Sequence, residues 1–77
     1  MSRRTRSISW MEGRILEMLS KSRHIHTYLG LSACVLENVR SIDEQHNLDI
    51  AAAQLISRGQ VRREKDQDGF TVYRLAA

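Results

Sequence analysis

Apolar positions along the chain fall into three stretches of helical period followed by two stretches that alternate. Met11, Ile15, Met18 and Leu19 recur at the spacing of one helix face, and Leu16 widens the stripe. Glu12, Arg14, Glu17 and Lys21 fall largely on the other side. Ser9 and Glu12 have capping-box spacing, in which hydroxyl and carboxylate satisfy backbone donors at a helix start, so a first helix is predicted over about 10–21. His24-Ile25-His26-Thr27-Tyr28-Leu29 alternates loosely and favours a short extended piece before Gly30 turns the path. Ser32 then suits the N-cap of a short second helix, with Cys34 or Val35, Leu36 and Val39 facing inward and Arg40 at the end that prefers positive charge.

The helical pattern restarts near Ser41-Ile42-Asp43. Asp43 is the expected cap of a third helix, and Leu48, Ala51 or Ala52, and Leu55 are its buried stripe. Gln45, His46, Asp49, Ala53, Gln54 and Ser57 lie mainly elsewhere, and Gly59 supplies a left-handed stop. Beyond Gly59 the period switches to two. Val61–Lys65 and Phe70–Leu75 read as strands, with Asp66-Gln67-Asp68-Gly69 as the turn of a hairpin. A two-stranded hairpin is marginal alone, so it must pack an apolar face on the helices.

A length of 77 residues allows one domain. Such a domain buries only roughly 60% of its unfolded surface, so a second copy or a partner would add useful stability. Cys34 is alone, which removes a disulfide or a cysteine metal site and fits a reducing, cytoplasmic setting; among Ala33, Val35 and Leu36 it reads as a small buried hydrophobe. The opening Met1-Ser2-Arg3-Arg4-Thr5-Arg6-Ser7 is basic, yet no apolar run follows it and none approaches the length of a membrane span, so no membrane association is expected. The chain thus divides into a flexible basic arm over 1–8 and a single domain over 9–77. Charge is uneven: residues 1–25 carry a balance of +4, 26–57 of −3, and 58–77 of +2. Two basic ends flank an acidic middle, and a basic balance favours a polyanionic partner.

Three helices and a hairpin define an α+β, mainly α, class. Within it, Leu55-Ile56-Ser57-Arg58-Gly59-Gln60-Val61-Arg62-Arg63-Glu64, then Asp68-Gly69-Phe70 and Tyr73-Arg74-Leu75, resembles the end of the third helix, the glycine, and the two wing strands of the winged helix-turn-helix family. The resemblance covers about residues 9–76. It implies a small DNA-binding protein, a transcriptional regulator acting on duplex DNA and pairing as a homodimer on half-sites. By position it makes Gln45, His46 and Asp49 base-edge candidates and Arg62, Arg63 and Lys65 phosphate candidates. Arg3, Arg4 and Arg6 would follow a groove as a cationic arm does.

One departure keeps an alternative open. Residues 43–57 contain no Lys or Arg and include Asp43, Glu44 and Asp49, whereas a recognition helix usually carries several basic groups. Winged helices also serve as protein-interaction modules, and an acidic third helix suits an inhibitor or adaptor that meets a basic protein partner. No catalytic constellation emerges. His24 and His26 share a spacing that could place two imidazoles on one strand face, but nothing nearby completes a metal set, so neither an enzyme nor a cofactor is expected.

Overall fold

The computed structural model describes residues 5–22, 25–36 and 41–76, and for Ile25 and His26 the backbone alone. The order of elements is α1 (Ile8–Lys21), β1 (Ile25–His26), α2 (Thr27–Leu36), α3 (Ile42–Ser57), β2 (Val61–Lys65) and β3 (Thr71–Leu75). Three helices followed by an antiparallel hairpin make an α+β, mainly helical, winged-helix layout. The hairpin does not stand alone. β1 pairs with β3, giving a three-stranded sheet of order β1-β3-β2 in which β3 is central.

α1 buries Met11, Ile15 and Leu19, with Leu16 and Met18 packed at the margin, as the helical spacing requires. Its cap differs from the expected one. Ser7, not Ser9, accepts the Trp10 N–H at 3.1 Å, which brings Ile8 into the first turn against the core. Glu12 therefore completes no capping box and instead accepts from Arg58 Nη1 at 2.8 Å.

α2 begins five residues before the expected cap. Thr27 opens it with φ +61°, a left-handed geometry rare for a β-branched residue, and its Oγ1 accepts the Gly30 N–H at 3.1 Å. Gly30 consequently lies inside the helix and turns nothing. Leu31, Ser32, Val35 and Leu36 form the buried face, so Val35 takes the inward position that Cys34 was also offered. Cys34 lies on the other side and is exposed, contrary to the reading of a buried hydrophobe. Val39 and Arg40, assigned to this helix from the sequence, lie outside the described residues.

α3 is capped by Ser41, whose hydroxyl accepts the Glu44 N–H at 3.2 Å, and not by Asp43, which sits in the first turn. Leu48, Ala51, Ala52 and Leu55 are buried as expected. The helix ends in a Schellman arrangement: Gln60 N–H donates to Leu55 O at 2.9 Å and Gly59 N–H to Ile56 O at 3.0 Å, with Gly59 at φ +77°.

The β2–β3 register runs from Val61↔Leu75 to Lys65↔Thr71, and Val61, Tyr73 and Leu75 turn one face of the hairpin to the helices. Asp66 closes the turn, since its Oδ1 accepts from Asp68 and Phe70 N–H, both at 2.9 Å, while Gly69 takes φ +85°. Phe70 falls in this turn and not in β3. Among the described residues no helix is long and apolar enough to cross a membrane.

Candidate nucleic-acid interface

One face of α3 is turned to the core through Glu44, Leu48, Ala51 and Leu55, a spacing of four, three and four residues. The opposite face follows by rotation. Ile42, Asp43, His46, Asp49, Ala53 and Ser57 are exposed, Ile42 to 88%. His46 and Asp49, both base-edge candidates, therefore stand together on the outward face one turn apart. This face holds two carboxylates and no Lys or Arg, so by itself it is weakly repulsive to phosphate.

Gln45 is placed differently. Its Nε2 donates to Tyr28 Oη at 2.7 Å and its Oε1 accepts from Ser32 Oγ at 3.1 Å, so both ends of the amide are engaged between α2 and α3. Tyr28 Oη in turn donates to Gln45 O at 3.3 Å. Burial raises the Tyr28 phenol above its ordinary value, and the neighbouring Asp49 carboxylate adds to the rise, while the Gln45 donor opposes it. The amide of this base-edge candidate is thus engaged as an internal tie between two helices. The need arises because α2 buries a serine: a hydroxyl facing another helix requires a partner, and Gln45 supplies it.

Glu44 is fully buried, although a first-turn acid reads from sequence as an exposed partner of the helix dipole. Arg6 satisfies it. Arg6 Nε donates to Glu44 Oε2 at 2.6 Å, Arg6 Nη2 to Oε1 at 3.0 Å, and the Arg6 backbone N–H to Oε2 at 2.9 Å. Nη2 also reaches Leu36 O at 3.2 Å, and Asn47 Nδ2 donates to Arg6 O at 2.9 Å. The guanidinium lies 4.9 Å from the centre of the Trp10 ring. Arg6 was assigned to a free arm, yet it belongs to the folded unit, because a carboxylate withdrawn from water must have a close cation. Arg3 and Arg4 lie outside the described residues.

On the wing Arg62, Arg63 and Lys65 are exposed. Strand alternation separates them: Arg63 and Lys65 share the face of Val61, and Arg62 points to the opposite face. On that opposite face Arg62 lies directly across from Arg74, a cation that the sequence reading left without a role. Arg74 Nε is 3.4 Å from Glu64 Oε1. The signal that could have found Arg74 was the turn itself. Once Asp66 to Phe70 is recognised as a closed loop, the register follows and sets residue 62 against residue 74. The tip, by contrast, carries Asp66 and Asp68.

Among the described residues no group of three or more His, Cys, Asp or Glu is placed to hold a metal ion, and His24 lies outside them. Comparison with family models, with curated proteins and with solved structures finds no match to this chain.

Proposed function

We propose that the chain binds duplex DNA as a small regulator of transcription, with the wing gripping the backbone and the outward face of α3 set against base edges. The observation that supports this reading most directly is the wing. Arg62, Arg63, Lys65 and Arg74 are all exposed on ten residues of strand, and of these four only Arg74 has an acidic partner within ion-pair distance among the described residues. Phosphate contacts of this kind position a protein without reading sequence. Sequence preference falls to α3, where His46 offers a hydrogen bond to a base edge and Asp49 an acceptor for the amino group of cytosine. Gln45 and Arg6 contribute by holding α3 in place. A pair of copies on adjacent half-sites would double these few base contacts.

The experiment is a salt titration of binding to a selected duplex and to its scrambled counterpart. We expect log affinity to fall linearly with log salt concentration, with a slope near −0.9 per phosphate contacted. A preference for the selected sequence should persist at every salt concentration. Absence of duplex binding at low salt would overturn the reading.

One observation favours a second reading. Ile42, 88% exposed, begins an α3 face that otherwise presents Asp43, His46 and Asp49, and a lone large apolar group rimmed by carboxylates suits a basic protein surface. In that case the module is an adaptor or inhibitor, and duplex affinity stays at the nonspecific level.

A further inference from the structure

The wing holds an arrangement of charge that its own stability does not explain. Arg62 and Arg74 are direct cross-strand partners. The backbone bonds Asp66 N to Phe70 O and Ala76 N to Gln60 O, one at each end of the ladder, set the alternation so that residues 62 and 74 form a hydrogen-bonded pair. Cα atoms at such a pair are about 5.5 Å apart, with side chains projecting from the same face. Like charges directly opposite one another destabilise a sheet. Here the repulsion is relieved on one side only, because Glu64 stands diagonally beside Arg74 while Arg62 has no acidic partner within 4.0 Å among the described residues. The Arg74–Glu64 contact is half-exposed, long and easily displaced. The tip beyond it bears Asp66 and Asp68, which disfavour approach of a polyanion there.

From this geometry we infer that Arg62 and Arg74 together form one site for a phosphodiester, on the face of the wing opposite Val61 and Tyr73, and that Glu64 competes for it. Two guanidinium groups rooted about 5.5 Å apart reach a single phosphate, each as a planar donor fork. A bound phosphate removes the repulsion between them, and Glu64 is released to water. The polyanion then lies across the base of the wing and not over its acidic tip. The inference deepens the nucleic-acid reading and rests on it.

Four side-chain changes test it, each at an exposed position and checked by thermal melting for an unchanged fold. Arg62→Ala and Arg74→Ala should each weaken duplex binding. Combined, they should reduce the salt slope by about one in total, because the two arginines serve one phosphate. A reduction of about two for the double variant, or none, overturns the shared site. Glu64→Gln should tighten duplex binding more than Asp68→Asn, which removes an equal charge at the tip; equal effects of the two overturn the competition. A separate measurement keeps the site testable apart from the function. In a titration of the full chain with inorganic phosphate, the Nε–Hε NMR signals of Arg62 and Arg74 should shift together along one binding curve. If the parent chain binds no duplex while these signals still move in concert, the DNA reading fails and the anion site stands. If duplex binding is firm and the two signals move independently or stay fixed, the site fails.

Discussion

Glu44 and Arg6 show how one side chain decides the role of another. A carboxylate with no exposure is tolerable only when its lone pairs and its charge are met, and Arg6 meets both through three hydrogen bonds while lying against Trp10. Removing the cation alone should be costly: Arg6→Ala leaves a buried unpaired charge and is expected to destabilise by about 3 to 5 kcal/mol, whereas Glu44→Gln keeps the shape and an acceptor and should cost less. Urea unfolding of both variants and of the double variant checks this. A double variant as unstable as the two losses added would mean that the residues act independently. The pair spans 38 positions, so no local pattern announces it; an acid in a first turn looks the same from sequence whether it faces water or the preceding segment. Cys34 is exposed for a related reason, since Val35 beside it is an equally good inward residue and only the phase set by Leu31 chooses between them. Being exposed, Cys34→Ser should shift stability by no more than about 0.5 kcal/mol, as measured by the same unfolding curves.

At the scale of elements, the buried stripes of α1 and α3 and the strands of the hairpin were legible, because period and turn chemistry agree over ten or more residues there. Helix starts were less so. Ser7 competes with Ser9, and Ser41 with Asp43, and each time the earlier residue wins because it extends the helix over a cap-to-core geometry that spacing alone cannot rank. The start of α2 was hidden by a glycine within the helix and by a threonine at positive φ. The α2–α3 tie gives a pH-dependent expectation. The Tyr28 phenol is raised by burial, so the folded chain holds its proton more tightly than the unfolded chain. That contribution is fully present below the ordinary phenol value of about 10 and is lost as pH rises above it. Tyr28→Phe should cost about 1 kcal/mol at neutral pH, and the stability difference from the parent should hold up to about pH 10 and shrink over the range above it. A constant difference across that range, followed by chemical denaturation, would remove Tyr28 from the tie. Gly59 offers a cleaner local test. A Cβ there meets nothing within 4 Å, so Gly59→Ala should cost about 1 to 2 kcal/mol purely from the left-handed backbone, and Gly59→Asn less, in a thermal melt.

For the whole molecule, the uneven charge along the sequence takes a different form once folded. Of the three acids near the start and middle of α3, Glu44 is withdrawn and neutralised by Arg6, which leaves Asp43 and Asp49 on the outward face. The wing supplies the cations that α3 lacks, so a duplex lying along both would feel attraction at one end and mild repulsion at the other. Exposed charges act over a screening length of about 8 Å at physiological salt, which confines each effect to its own end. Asp43→Asn isolates the repulsive end. It removes a favourable interaction with the α3 dipole, so the melt should fall by an amount equivalent to about 0.3 to 1 kcal/mol, yet duplex binding at low salt should tighten. Asp49→Asn should tighten binding to most sequences in the same way. It should also erase any preference for cytosine at one base position, a loss of about 1 to 3 kcal/mol there if Asp49 accepts from that base. A basic protein partner would reverse both signs: each neutralisation would then slow association, and the slowing would fade as salt rises. Measuring the two variants against the same duplex across salt concentrations separates the cases. Weaker DNA binding by Asp43→Asn, a residue with no base-reading role, would contradict the placement of α3 against DNA, because removing a negative charge from a face set beside phosphate can only reduce repulsion.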